Sequence, residues 1–334
     1  MEESSPIDKI RKSGGSADIG NDSDGAIKDM IGIDGLLYII KEKSIYEFMM
    51  ADYIDPQRTN INLPTNMQRL IINQGYNSEL VGRTFLTAKT LFKTDLFDEN
   101  TVNKVLKLSI ELIQELSILE KEINEYLHEE VKANGEYEER KNMKVSYAIP
   151  SIINLDTRCK TIFQKADHIE QILMEIISSF YPKEGLTKQS HFPKLHQILT
   201  NKYGEKDSFT DFISKTINYM KIIRDLRNGL DHRLDSAKIS NYELQSNSDI
   251  LSPTIELKSK DIKLERIALS HFLPIVKENM ITIIESTFVY LAQKNIQDNT
   301  LFYQIKEIPE KIRRNKYVRY CFWMPLGKEG YYTQ

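Results

Sequence analysis

Between residues 221 and 234 the chain reads KIIRDLRNGLDHRL, and Arg224, Asp225, Arg227, Asn228, Asp231, His232 and Arg233 crowd together within it. A histidine can take and return a proton near neutral pH. An arginine keeps its charge and can hold two non-bridging phosphate oxygens at once. Together they suit the movement of a phosphoryl group. The spacing limits how they could act. On a continuous helix, residues five apart point about 140° away from each other, so Arg227 and His232 would not share a face. Arg224, Asn228 and His232 do share one at successive i,i+4 steps, and Arg227 and Asp231 share another, as an ordinary surface ion pair would. Either Gly229 lets the turn distort, or a second chain brings its own copy across a two-fold axis.

The hexapeptide Arg227-Asn228-Gly229-Leu230-Asp231-His232 resembles the R-x4-6-H motif of HEPN domains, in which a polar residue often follows the arginine, as Asn228 does here. The resemblance extends, more loosely, to the helical order of residues 156–296. It implies an all-helical bundle, typically dimeric, with the motifs of two protomers facing one another. Many members are metal-independent ribonucleases of toxin–antitoxin, CRISPR-associated and anti-phage systems. Carried over, His232 would act as general base or acid on the 2′-hydroxyl or leaving oxygen, and Arg227 would stabilise charge on the phosphate. Asn228 would orient the scissile group, and the product would carry a 2′,3′-cyclic phosphate. Arg224 is a second candidate for phosphate contact because it shares a face with His232, and Asp231 either tunes the histidine or pairs with Arg227. The expected partners are an RNA substrate, a second copy through the motif helix, and an antitoxin or effector; no cofactor or metal is expected. The rival expectation is a non-catalytic scaffold for dimerisation or regulation, because Arg–Asp–His clusters also occur as structural ion-pair networks. A small-ligand sensor with a pocket between two helical domains is a third.

The elements that would position these residues follow from apolar periodicity. Ile222, Ile223, Leu226 and Leu230 recur at helical spacing, and a motif helix is expected over 209–230, capped by Asp207 or Ser208. Before it, a helix is expected over 157–181 with Asp156 as cap, stopped at Pro182, and a short one over 192–203, ended by Gly204. His168, His191 and His196 read as packing or surface residues, with one of the last two able to approach the site. After the motif, residues 235–263 read as a small β-hairpin or an extended excursion. A long helix over 264–296 carries an irregularity at Pro274.

The N-terminal half is expected to be helical as well. Residues 1–25 read as a disordered tail, rich in Ser, Gly and Asp. Residues 26–133 form a helical N-terminal domain for recognition or regulation. Its helices are expected over 34–51 (with Asp34 as a cap), just after Thr65, over 78–97 and, most clearly, over 101–132. Residues 134–150, polar and charged, read as a linker, so the domain boundary falls between Ala133 and Pro150. The HEPN-like domain would span 151–298, and 299–334 would be a tail in which Arg313, Arg314, Lys316 and Arg319 interleave with aromatic residues. That tail suits either a single-strand contact or an amphipathic element docked on the body. The fold class expected throughout is all-α.

Composition bounds the partners. With 45 Lys and Arg against 48 Asp and Glu, the net charge is −3, so any RNA contact must be local. The two cysteines, Cys159 and Cys321, sit at no metal spacing and fit a reducing cytoplasm. No apolar run approaches the about 18 residues that would span a bilayer, the start is no secretory signal, and a cytoplasmic protein is expected. No phosphate loop, dinucleotide fingerprint, nucleophile elbow or HExxH motif occurs.

Overall fold

The computed structural model describes residues 5–13, 16–141, 148–247, 249–297, 302–326 and 330–334. The chain is mixed α and β rather than all-α: the described residues include four antiparallel sheets. It divides into two compact units, one formed by Met1–Gln114 with Ile296–Gln334, the other by Glu115–Asn295.

In the first unit, the expected tail holds helix α1 (Pro6–Lys12), closed by a reciprocal Ser5–Asp8 capping box, and a 3-10 turn at Asp22–Asp24. Arg11 of α1 is buried, donating to the Asn60 carbonyl at 3.1 Å. Then come strands β1 (Ile27–Ile33), β2 (Leu36–Lys41) and β3 (Ile45–Met50), a helical turn α2 (Ala51–Ile54) and β4 (Asn66–Ile72), in the sheet order β1-β2-β3-β4. The helices expected over 34–51 and after Thr65 are therefore strands. The reason lies in the turn chemistry. Asp34 and Gly35, at φ 50° and 80°, are the two-residue connection between paired Ile33 and Leu36. Asp-Gly tolerates the positive φ that a tight hairpin needs, so Asp34 is a turn residue and not a helix cap. Ile39, Ile40 and Ile45 are buried on consecutive and paired positions, a continuous apolar run that periodicity alone cannot assign.

The helix expected over 78–97 is realised as α3 (Glu79–Val81), a π-helical segment Gly82–Leu86 and α4 (Thr87–Leu91). Helix α5 (Glu99–Lys141) follows, and the Asp98 carboxylate accepts the Thr101 N–H at 3.0 Å at its start. The helix continues well into the expected linker: Tyr137 is buried and Glu136 is within 4.0 Å of both Lys132 and Arg140, so that a charged composition there marks a solvated helix face. The rest of the expected linker includes residues 142–147, outside the described residues. The division between the two units falls within α5, not between Ala133 and Pro150.

The second unit contains α6 (Leu155–Phe180), α7 (His191–Tyr203) and α8 (Ser208–Asp231), close to the expected helices. Asn154, at φ 58°, occupies the cap position of α6, and Asp156 lies in its first turn instead of capping it. There its charge still complements the helix dipole. The excursion after α8 is more elaborate than one hairpin: β5 (Ala237–Ser240), β6 (Glu243–Leu244), β7 (Ile250–Leu251), β8 (Thr254–Lys258) and β9 (Lys263–Ala268) form a β5-β8-β9 sheet and a β6-β7 ribbon. β9 takes up the first residues of the expected last helix, which runs as α9 (Leu269–Asn295) with Pro274 inside it. Phe163, Ile169, Leu173, Phe209, Ile223, Leu226 and Phe288 are fully buried in this unit. Each such side chain contributes about 1.5–3 kcal/mol by leaving water.

The chain returns to the first unit with β10 (Gln304–Glu307), β11 (Tyr320–Met324) and β12 (Tyr331–Tyr332), an antiparallel sheet in the order β10-β11-β12. Phe322 is fully buried, 5.7 Å from Tyr303 and 6.4 Å from Phe97 between ring centres, and Lys306 lies over the Trp323 ring. Part of the aromatic set expected in a tail thus packs on its own unit. Among the described residues no helix is long and apolar enough to cross a membrane.

Candidate functional site

Helix α8 carries the Arg–His cluster, and its sequence explains how it is held. Phe209, Ile213, Met220, Ile223, Leu226 and Leu230 are buried along one face. On that side, the Tyr219 hydroxyl donates to the Val276 carbonyl of α9 at 3.3 Å. At the N-terminus the expected Asp207 cap is present, accepting the N–H groups of Phe209 and Thr210 at 3.0 and 3.4 Å. Burial alone would raise the Asp207 pKa. The Lys294 ammonium and those two N–H groups outweigh it and hold the carboxyl below its ordinary value.

Toward the other end of α8 the structure separates the predicted residues into three groups. Arg227 joins its neighbours: Nη1 donates to Asn228 Oδ1 at 2.9 Å, and Nε lies 3.1 Å from Asp231 Oδ2. The second contact is an ion pair by distance only, since Nε makes no hydrogen bond. Arg224 faces elsewhere, its Nη2 donating to both carboxylate oxygens of Glu170 at 2.8 and 2.9 Å. His232 ends the helix. Its N–H donates to the Asn228 carbonyl at 3.0 Å, and its imidazole is exposed, with no hydrogen bond or ion pair among the described residues.

Gly229 does not distort the turn, which was one of the two alternatives the spacing allowed. The helix stays regular through it, and a Cβ there would sit 2.5 Å from the Ala237 Cβ at the start of β5. The glycine lets β5 approach α8. The break comes afterwards, where Arg233 adopts φ 53° and the Leu234 N–H closes the end by donating to the Gly229 carbonyl at 2.8 Å. A left-handed residue with this bond is the usual helix stop, more often built from glycine.

Beside this stop lies an open groove of about 550 Å³ between the first turns of α6, the end of α8 and β5. Lys160, Arg233 and Lys238 line it with Asp156 and Asp235, and Gly229 is at its wall.

Glu170, which was not foreseen, and His191, one of the two histidines expected to be able to approach the site, complete the polar layer among α6, α7 and α8. Glu170 has a side chain only 1% exposed and receives Arg224; His191 Nδ1 lies 3.4 Å from its Oε1, without a hydrogen bond. His191 itself opens α7 at φ 53°. The only trace in the sequence is an acidic residue beside the apolar stripe of α6, directly after Ile169. Asp167, a turn earlier, is also buried and accepts from Gln171 at 2.9 Å, leaving its second oxygen without a partner.

No protein-family model, curated protein or solved structure matches the chain.

Proposed function

We propose that the chain is a metal-independent endoribonuclease that acts as a homodimer through α8, in the manner implied by its resemblance to HEPN domains, and serves as a toxin or an anti-phage or stress-defence effector. One observation carries this reading: His232 presents an unpartnered imidazole at the end of α8, about a turn after Arg227 and Asn228, and the next residue, Arg233, lines a groove with Lys160, Lys238, Asp156 and Asp235. Cations along a groove track the phosphates of a strand. His232 removes the proton of the ribose 2′-hydroxyl, whose oxygen attacks the adjacent phosphorus, and an imidazolium returns a proton to the departing 5′-oxygen. The strand is left with a 2′,3′-cyclic phosphate and a 5′-hydroxyl. Arg227, oriented by Asn228 and Asp231, holds the charge that builds on the non-bridging oxygens. The facing copy of α8 brings the complementary histidine or arginine, because the two positions diverge on one helix.

The test is RNA cleavage in EDTA by the wild type, His232→Ala and Arg227→Ala, each checked for dimerisation. The expected outcome is EDTA-resistant cleavage with cyclic phosphate ends, reduced about 10²–10⁴-fold in either variant. Undiminished cleavage by both variants would sink the mechanism.

A second reading, a non-catalytic dimerisation scaffold, draws on the internal pairing of Arg227 with Asn228 and Asp231 and of Arg224 with Glu170. It predicts no RNA cleavage by the wild type and no toxicity on expression that His232→Ala relieves.

A further inference from the structure

The first unit contains a cavity of about 380 Å³ whose lining is unusually cationic for a chain of net charge −3. Lys28, Lys89, Lys93 and Arg314 line it, with Asp29 as the one acidic residue; Tyr76, Leu86 and Val318 supply apolar surface. The pairing of these cations is uneven. Lys28 meets Glu42 at 2.8 Å, and Lys89 is bonded to Asp29. Arg314 donates to the main-chain oxygen of Gln334, the last residue of the sequence, at 3.1 Å. Lys93 has no carboxylate within ion-pair distance among the described residues. Its Nζ donates only to the Thr333 carbonyl, at 2.9 Å.

A half-buried ammonium whose one partner is a neutral carbonyl is an expensive arrangement. Burial pushes the Lys93 pKa down and outweighs the upward pulls of Cys321 and Asp95, with Arg314 and Lys89 adding smaller downward ones. A bound anion would remove the cost. Small-molecule sites typically enclose about 300–1,000 Å³ and combine apolar walls with a few convergent polar groups, and this cavity has both. A phosphate on Lys93 and Arg314, with the remainder of the ligand against the Tyr76 ring, Leu86 and Val318, accounts for both kinds of lining. Asn315 is buried at the rim, its amide donating to the Tyr76 carbonyl at 2.7 Å, so the wall carrying Tyr76 is fixed to the segment carrying Arg314.

We infer that this cavity is a binding site for a small phosphorylated molecule of about nucleotide size, held by Lys93 and Arg314. The site is independent of the ribonuclease reading, since its lining lies wholly in the first unit.

The experiment is calorimetric titration of the full chain at low salt with inorganic pyrophosphate, ATP and a single-stranded oligouridylate. Wild type, Lys93→Met, Arg314→Gln, Lys238→Gln and His232→Ala are compared, with thermal melts to verify folding. Pyrophosphate or ATP should bind the wild type, at least about tenfold more weakly in Lys93→Met and Arg314→Gln, which costs about 1.4 kcal/mol. Binding should be unchanged in Lys238→Gln and His232→Ala. Arg314 is exposed, so its variant reports even if Lys93→Met fails to fold. Absence of binding by both small probes, equal affinity in Arg314→Gln and the wild type, or binding of the oligouridylate alone would each overturn the inference.

Discussion

At its first turn α8 is fastened by a carboxylate that accepts two backbone N–H groups and meets Lys294. At its last turn the chain leaves through Arg233 in a left-handed conformation, with His232 uncovered beside a groove. The same contrast recurs between its two motif arginines. Arg224 is turned inward onto a carboxylate with a 1% exposed side chain, whereas Arg227 and Asp231 are each about a third exposed. One end of the helix is held in position, and the other leaves its side chains more exposed. Stability should therefore be concentrated in the first set of contacts and function in the second.

Removal of Glu170 should give the largest stability loss of the substitutions considered for this contrast. Glu170→Ala leaves Arg224 Nη2 without its carboxylate and empties a buried position. Breaking a buried pair typically costs about 3–5 kcal/mol, and the partial exposure of Arg224 places the expectation at the lower end, about 3 kcal/mol. Urea unfolding of the variant should show it. The exposed Arg227–Asp231 pair sets the opposite pole, worth only about 0.3–0.5 kcal/mol. A similar loss from Asp231→Ala would erase the distinction between the arginines.

Asp207→Ala should come next, costing about 1–2 kcal/mol as a lost cap. It also has a pH signature. The folded carboxyl is held below its ordinary value of 3.8, so the unfolded chain binds the proton more readily. The contribution is complete above that value and disappears as the pH falls through the lowered folded one. The difference in urea midpoint between wild type and variant should shrink on acidification. A difference that grew in acid would contradict the cap.

The smallest effect, and of opposite sign, belongs to the exit. Arg233→Gly relieves a left-handed non-glycine residue and should stabilise by about 1 kcal/mol, read as a raised melting temperature. If it also lowers RNA cleavage, the cation at Arg233 matters to the groove; unchanged cleavage confines the residue to the helix stop.

The helices of the second unit were legible because their apolar residues recur over many turns and their stops are chemical. Asp207, Gly204 and Pro182 each act where expected. The sheets were not. The stretches Leu36–Lys41 and Ile45–Met50 are nearly continuous in apolar character and so carry no strand alternation, although Asp34-Gly35 between Ile33 and Leu36 was a hairpin signal in plain view. The segment beyond Ala133 looked like a linker by composition, yet its charges fall at helical pair spacing around Tyr137. For the site, the residue types of the motif were readable but not their pairings. Nothing in one sequence links Glu170 to Arg224, and the role of Gly229 depends on where Ala237 returns.

The π-helical segment Gly82–Leu86 has a consequence for the lysine-lined cavity that follows it. A π turn holds one more residue than an α turn, and here the Thr87 N–H and hydroxyl both donate to the Gly82 carbonyl, the latter at 2.8 Å. That extra residue works as a phase shift. Shortening the segment by one residue, with the helix regular, would turn everything after it by about 100° about the axis. Leu80 and Val81 before the shift, and Ala88 and Leu91 after it, are all buried. The phase set there fixes the direction in which Lys89 and Thr90, which line the cavity, leave the helix. A chain without it would point those two side chains elsewhere.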